Sequence, residues 1–143
     1  MMRRTLAAPA LAVLLLAGAC SPAVGAADDA AVVPDSGAGV VTVGTAELAA
    51  LVASGKVRLI DVRTPEEFAE GSIPGAVNVP LDRFDPAAIV DEPGRETVLF
   101  CRSDRRSGVA AEQLAAHRDA TVRHLDGGIL DWIAQGQEVT PAQ

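Results

Sequence analysis

The feature that most constrains the fold of this chain is a regular alternation of short β-branched runs with helical segments, beginning near residue 40. The runs lie at residues 41–43, 57–62, 77–81, 97–100 and 121–125. Strands that alternate with helices are typical of a parallel sheet with helices on both faces. The 143 residues suffice for one ordinary domain. We therefore predict a single α/β domain over residues 40–140, with a five-stranded, mainly parallel sheet.

The segments between these runs carry signals for helices and turns. Thr64-Pro65-Glu66-Glu67 is a capping box with proline at the first helical position. Ile73-Pro74-Gly75-Ala76 predicts a type II turn. The run at 97–100 is apolar after its first residue, so we expect a central strand there. Further helices are predicted from about Thr45, over 106–118 and after Gly127-Gly128, with only a brief helix within 82–95.

The first 39 residues do not fit the domain pattern. They predict a signal peptide over residues 1–19, because a basic start is followed by the uncharged run Leu6 to Ala19 and by small residues before Cys20. Ala17-Gly18-Ala19-Cys20 resembles a bacterial lipobox, which implies cleavage before Cys20 and lipidation of its thiol. A plain signal peptide or an uncleaved anchor is the alternative, and the sequence leaves open Sec or twin-arginine export. Residues 20–39 then form a flexible tether, and the domain faces the periplasm or the exterior on its lipid anchor.

Charge and cysteine content narrow the possible functions. Cleavage would remove Arg3 and Arg4 and leave 10 basic against 19 acidic side chains. This acidity argues against nucleic-acid partners and against electrostatic attachment to anionic lipid, so the lipid anchor is the only membrane contact that we predict. The chain has two cysteines, Cys20 and Cys101. Lipidation of Cys20 would leave Cys101 as a lone, reactive thiol in an oxidising compartment.

Cys101 follows the predicted central strand, at the edge of the sheet where open α/β folds bind their ligands. The loop Cys101-Arg102-Ser103-Asp104-Arg105-Arg106 is locally basic in an acidic chain, and a helix is predicted to start about five residues after the cysteine. Cations and a helix N-terminus lower a thiol pKa and stabilise bound anions. The pattern indicates a nucleophilic cysteine, although a buried packing cysteine is the alternative from these residues alone.

Three segments together resemble the rhodanese family, and they occur in the order found in that family over about residues 45–139. The first contains Leu59-Ile60-Asp61-Val62-Arg63 and Gly71-Ser72-Ile73-Pro74-Gly75-Ala76. The second is the loop from Val98 to Ser107, which resembles the active-site loop of the family. The third is Leu125-Asp126-Gly127-Gly128, with Trp132 and Gly136 after it.

The resemblance implies that Cys101 is the catalytic nucleophile and carries a persulfide. It also implies that the loop binds the sulfur and its donor through residues Arg102, Ser103, Asp104, Arg105 and Arg106, with Arg106 as the anion-binding side chain. Two positions depart from the family. Ser72 stands where histidine is usual, which we expect to alter only local hydrogen bonds. Asp104 stands where glycine is common and brings a carboxylate close to the thiolate, so we expect weaker donor binding.

The function implied is sulfur transfer by double displacement, from thiosulfate or a related donor to a thiol acceptor, with no metal or organic cofactor. A phosphatase with a related fold would need five residues between cysteine and arginine, whereas four separate Cys101 from Arg106. The other alternative is a non-catalytic sulfur-carrier or binding module on the cell surface. We expect a monomer, with small molecules as its partners.

The remaining conspicuous residues have structural interpretations. Asp61 and Arg63 follow a predicted strand near the site, and we expect Asp61 to fix the loop by hydrogen bonds. Trp132 is predicted to be a core residue. His117 and His124 lie far from the loop in sequence and have no clustered partners, so no metal site is predicted.

Overall fold

A five-stranded sheet is the frame of the domain. The computed structural model describes residues 37–141. The strands are β1 (Gly39–Val43), β2 (Val57–Asp61), β3 (Val77–Asn78), β4 (Glu96–Phe100) and β5 (Thr121–Leu125). The helices are α1 (Thr45–Ala53), α2 (Pro65–Ala69), α3 (Arg105–Arg118) and α4 (Gly128–Ala134). Two single-turn 3₁₀ helices lie at Leu81–Arg83 and Pro86–Ala88.

The strand order is β1-β5-β4-β2-β3, and all neighbouring strands run parallel. The predicted α/β fold is therefore confirmed, and β4 is central, as its apolar run predicts. The chain leaves β2 toward β3 at one side and leaves β4 toward β5 at the other. Connections that diverge in this way open a crevice at the carboxyl ends of the two strands, which is where open sheets bind ligands.

Both faces of the sheet are covered, as predicted. Along β4, Val98 and Phe100 pack in an apolar cluster with residues of α1 and α4, among them Trp132, which is buried as predicted. Leu99 and Cys101 belong to a second cluster that includes residues of α3. Successive strand residues point to opposite faces. A strand buried on both faces is consequently apolar without alternation.

The predicted local signals around α2 are confirmed. The Thr64 Oγ accepts a hydrogen bond from the Glu67 N–H, and a Glu67 carboxylate oxygen accepts one from the Thr64 N–H, which completes the capping box. The Ala76 N–H donates to the Ile73 carbonyl at 3.1 Å, and Gly75 has φ 80°, as a type II turn requires.

Three local expectations are wrong. The strand predicted over 77–81 contains only Val77 and Asn78, because the chain enters a 3₁₀ helix at Leu81. The Val79 and Leu81 N–H groups still donate to the Asp61 and Val62 carbonyls of the neighbouring segment. The brief helix expected within 82–95 is instead two 3₁₀ turns that together span 81–88. Ile133, which the helical pattern places with Ile129 and Trp132, is half exposed. It lies at the edge of the buried face of α4 rather than in it.

Within residues 37–141, none of the helices combines the length and the apolar character needed to cross a membrane. The predicted signal peptide, Cys20 and nearly all of the predicted tether lie outside the described residues.

Candidate active site

Cys101 lies directly after β4, at the crevice between the diverging connections of β2 and β4. Its side chain is 1% exposed and packs in the cluster on the α3 side of the sheet. Only residues 102–104 separate it from the first turn of α3, one residue fewer than the sequence predicts. The short loop forces the backbone to curl around the sulfur, so its N–H groups point inward.

Hydrogen bonds to the sulfur lower the pKa of the Cys101 thiol. Burial raises this pKa, because a thiolate loses its hydration. The Ser107 hydroxyl and the N–H groups of Ser107, Ser103 and Asp104 lower it, and together they outweigh burial. The Asp104 N–H lies 3.2 Å from Sγ. The site therefore favours the nucleophilic thiolate through hydrogen-bond donors more than through side-chain charge.

The conformation of Asp104 makes this arrangement possible. Its φ is 146° and its ψ is −34°, a region that favours glycine because it has no Cβ. Its carbonyl accepts hydrogen bonds from the Gly108 N–H and the Ser107 Oγ, both at 2.8 Å. Its carboxylate is exposed and makes no cap to α3. Asp104 therefore contributes its backbone to the site, whereas its side chain points to solvent.

Arg106 forms an ion pair that the sequence analysis did not foresee. Its guanidinium donates to both carboxylate oxygens of Glu67, at 2.6 and 2.8 Å. This hydrogen bonding lowers the pKa of Glu67 to about 2, against a smaller opposing effect of burial. Because Glu67 lies on α2 and Arg106 on α3, the pair spans the crevice. The arginine implied to bind the anionic donor is thus already paired with a carboxylate.

The other predicted substrate-binding residues lie at the surface of the loop. Arg102, Ser103 and Arg105 are exposed. The backbone beneath them is fixed by α4, because the Ile129 N–H donates to the Cys101 carbonyl at 2.9 Å and the Leu130 N–H donates to the Arg102 carbonyl at 3.2 Å. The backbone around the Cys101 sulfur is therefore held by α4, whereas the charged side chains of the loop are exposed to solvent.

Gly128 permits this close approach of α4. A Cβ at this position would lie 2.6 Å from the Cys101 carbonyl oxygen and 2.6 Å from the Arg102 carbonyl carbon, and Gly128 has φ 62°. Both neighbours are backbone atoms, so neither can move aside cheaply. The Gly127-Gly128 pair thus starts α4 and also allows this helix to pack directly against the cysteine loop.

Asp61 and Arg63 form a buried network that supports the crevice from the β2 side. The fully buried Asp61 carboxylate accepts hydrogen bonds from the Arg63 N–H and guanidinium and from the Ser72 hydroxyl, at 2.6 to 3.0 Å. Arg63 also donates to the Gly71 carbonyl at 2.8 Å. These bonds fix residues 61–72, including α2 and Glu67, relative to the sheet. Ser72, which stands where the family usually has histidine, is part of this network.

Two clefts flank the crevice. One of about 300 Å³ lies between α2, Arg102 and α4, with Glu67, Leu130, Ile133 and Val139 in its walls. The other, of about 450 Å³, is lined by residues that include Thr64, Leu81 and Arg106. Both adjoin the loop, so small molecules have two approaches toward it.

His124 is a neighbour of the site that its distance in sequence concealed. It lies on β5 beside β4, and its ring Nδ1 is 3.2 Å from the Ser107 Oγ. Burial lowers its pKa, although the carboxylates of Asp104, Asp126 and Glu112 oppose this. His117, by contrast, is exposed on the last turn of α3.

Known proteins similar to this chain have the same fold. Residues 44–135 match the profile of the rhodanese-like domain family. A rhodanese-related protein of Thermoplasma volcanium superimposes with a TM-score of 0.61 at 27% identity, covering 69% of this chain and 96% of that one.

Two curated relatives add sequence evidence. A human thiosulfate:glutathione sulfurtransferase is 39% identical over 111 residues, covering 67% of this chain and 96% of the relative. An uncharacterised protein of Synechocystis is 41% identical over 80 residues, which are 56% of this chain but only 45% of that relative. The family profile covers well over half of the 143 residues, and the parallel sheet and the cysteine loop agree with it. This chain belongs to the rhodanese-like domain family.

Proposed function

We propose that this protein is a sulfurtransferase that carries a sulfane sulfur on Cys101. The observation that carries the proposal is the set of hydrogen-bond donors around Cys101 Sγ, which lowers the pKa of the thiol at the carboxyl end of the central strand. Relatives of this chain are sulfurtransferases, which supports sulfur transfer in general. We propose thiosulfate or a related sulfane compound as the sulfur donor and a thiol as the acceptor.

In the first step the Cys101 thiolate attacks the outer sulfur of thiosulfate or a related sulfane donor. A new S–S bond forms to Cys101 as the S–S bond of the donor breaks. Its electron pair leaves with sulfite, and Cys101 becomes a persulfide. The N–H groups that stabilise the thiolate then face the persulfide, so its negative charge stays solvated by the loop.

In the second step an acceptor thiolate attacks the terminal sulfur of the persulfide. The bond between this sulfur and Cys101 Sγ breaks, the acceptor leaves as a persulfide, and the Cys101 thiolate is restored. The cleft beside Arg102 is an approach for this acceptor. One product leaves before the second substrate reacts, so ping-pong kinetics are expected.

Loop cations attract the anionic donor in this proposal. Arg106 is shared with Glu67, so Arg102 and Arg105, which are exposed, provide the first attraction. Exposed charges act through water and salt, and donor binding should therefore weaken as ionic strength rises.

Mass spectrometry of the protein after exposure to thiosulfate tests the proposal directly. We expect one added sulfur on the Cys101 peptide, loss of that sulfur on adding a thiol or cyanide, and no added sulfur in Cys101→Ser. Cys20→Ala is the matched control, because it removes the other cysteine and should keep the added sulfur. An unmodified Cys101 with hydrolysis of aryl phosphates would instead support phosphatase chemistry.

A non-catalytic sulfur carrier is the second candidate. Two observations favour it: Glu67 already pairs with the arginine implied to bind donor, and Asp104 adds a carboxylate to the loop. A carrier would accept sulfur from a persulfidated partner but would not turn over thiosulfate. Steady-state transfer from thiosulfate to cyanide therefore separates the two candidates, and Cys101→Ser should abolish it if the protein is an enzyme.

We further propose that the domain is exported and anchored by lipid on Cys20. The support is the sequence pattern of residues 1–20 alone. Cys20→Ala should stop labelling with palmitate and block cleavage before position 20. Continued labelling of this variant would refute the anchor.

A further inference from the structure

His124 and Ser107 form a buried pair behind the cysteine loop. The Ser107 side chain is fully buried, and His124 is 8% exposed. The ring lies against the start of α3, where a Cβ on Gly108 would be 3.6 Å from Cε1. A buried histidine needs a polar partner, and the Ser107 Oγ at 3.2 Å from Nδ1 provides one.

The direction of the hydrogen bond follows from counting hydrogens. Ser107 Oγ carries one hydrogen and lies 2.8 Å from the Asp104 carbonyl, which can only accept. The same hydroxyl lowers the pKa of the Cys101 thiol, and a thiolate likewise can only accept. Whichever of the two receives the hydrogen, none is left for the ring. His124 must therefore be the donor, with its hydrogen on Nδ1.

The chain of contacts leads from His124 to the sulfur. His124 Nδ1–H donates to Ser107 Oγ, which leaves the hydroxyl hydrogen of Ser107 for the Asp104 carbonyl, 2.8 Å away, and for the Cys101 sulfur. The Asp104 N–H in turn donates to Cys101 Sγ. Asp104 needs such support because it holds φ 146°, which a residue with a Cβ rarely adopts.

We infer that His124 is a positioning residue for Cys101: by donating to Ser107, it keeps the Asp104 backbone in the conformation that directs its N–H at the sulfur. This inference rests on Cys101 being the proposed nucleophile. Its readout is the ionisation of the thiol rather than sulfur transfer, so failure of the inference and failure of the proposed function are seen separately.

The charges around His124 decide which variants are informative. Asp104, Glu112 and Asp126 are the acidic groups that act on its ring, and burial outweighs them so that the pKa falls and the ring is neutral near pH 7. Replacement of a neutral ring by a neutral side chain leaves the charge near Cys101 unchanged. Any change in thiol ionisation then reports the hydrogen bond.

The test is the pH dependence of Cys101 alkylation by iodoacetamide in the full chain. Mass spectrometry of the Cys101 peptide separates this thiol from Cys20. Loss of one hydrogen bond in His124→Phe should raise the Cys101 pKa by roughly half to one unit, a three- to tenfold lower thiolate fraction below the pKa. His124→Asn places an amide donor near the Nδ1 position and should restore most of the wild-type value.

Val122→Ala is the matched control, because Val122 is a buried residue of the same strand, it belongs to the apolar cluster that contains Cys101, and its side chain cannot hydrogen-bond Ser107. It should lower the melting temperature and leave the Cys101 pKa unchanged. An equal pKa rise in Val122→Ala would overturn the inference, since general loosening would explain it. An unchanged pKa in His124→Phe would overturn it as well.

Nitrogen NMR of the wild-type protein tests the same inference without any variant that could fail to fold. Long-range ¹H–¹⁵N spectra distinguish the two neutral tautomers of histidine. The inference requires the hydrogen on Nδ1 of His124. A neutral ring with its hydrogen on Nε2 would refute it.

Discussion

Replacement of Asp104 by glycine should stabilise the domain, because Asp104 is the non-glycine residue with the most strained backbone among residues 37–141. Its φ of 146° lies in a region where a Cβ costs about 1–3 kcal/mol. Glycine removes this strain but loses about 0.5–1 kcal/mol in chain entropy on folding. The net gain is about 1 kcal/mol, which raises Tm by about 4–8 °C in a domain of this size.

Two further variants isolate the cause of this change in Tm. Asp104→Asn keeps the Cβ and therefore the strain, so its Tm should stay close to wild type. Asp119→Gly acts on the other residue with positive φ, at 50°, in the left-handed region that aspartate tolerates. It should change the free energy of unfolding by less than about 0.5 kcal/mol.

Thermal and urea unfolding measure all three variants. An unchanged or lower Tm in Asp104→Gly, or an equal rise in Asp104→Asn, would refute backbone strain at Asp104 as the cause. Donor binding gives an independent readout, because both Asp104 variants remove the carboxylate of the loop. Both should lower the KM for thiosulfate at low salt, with a smaller effect at high salt because the carboxylate is exposed.

Three other predictions follow from the crevice. Gly128→Ala should lower the free energy of unfolding by about 2–4 kcal/mol, from backbone strain and a clash with backbone atoms. Gly136 has φ 74° and open space around it, so Gly136→Ala should lose only the part due to strain, and urea unfolding compares the two variants. The pKa of Glu67 is lowered from 4.5 to about 2, so its ion pair should stabilise the fold above pH 4.5 and lose this effect as the pH falls toward 2. Glu67→Gln should therefore make stability fall less steeply with pH in acid unfolding, and an unchanged pH dependence would contradict this. Since the Cys101 pKa is lowered from 9.0, single-turnover sulfur uptake should reach half its maximum below pH 9.0, and a midpoint at or above that pH would show that the loop does not activate the thiol.

The elements and the position of Cys101 could be predicted because they depend on local patterns. The β5 strand at Thr121–Leu125 has the predicted bounds, because the residues that identify a strand and its ends are adjacent in sequence. The apolar run of β4 identified the central strand, and a parallel sheet places the next residue at its ligand-binding edge. The capping box predicted α2 because both of its hydrogen bonds lie within four residues.

The pairs that tune the site could not be predicted in this way. Glu67 was assigned to the capping box, and its carboxylate does serve there, but it also pairs with Arg106, 39 positions later. His124 and Ser107 are 17 positions apart and meet only because β5 lies beside β4. One signal was present in the sequence: His124 alternates with Val122 and therefore shares its inward-facing side of the strand, where a histidine needs a polar partner. The partner itself depends on the strand order, which no local pattern supplies.

The geometry of the loop indicates which of its residues can be substituted without affecting the ionisation of Cys101. The groups that contact the sulfur are mainly backbone N–H groups, so their direction depends on the path of the loop. That path is fixed from three sides: by the α4 amides on the Cys101 and Arg102 carbonyls, by the Ser107 hydroxyl on the Asp104 carbonyl, and by the absence of a side chain at Gly128. The exposed side chains of Ser103 and Arg105 do none of this. Substitutions at Ser103 or Arg105 should change which sulfur donor is preferred and leave the ionisation of Cys101 intact. Substitutions at Ser107 or Gly128 should impair the ionisation of Cys101 and therefore slow the reaction with every donor.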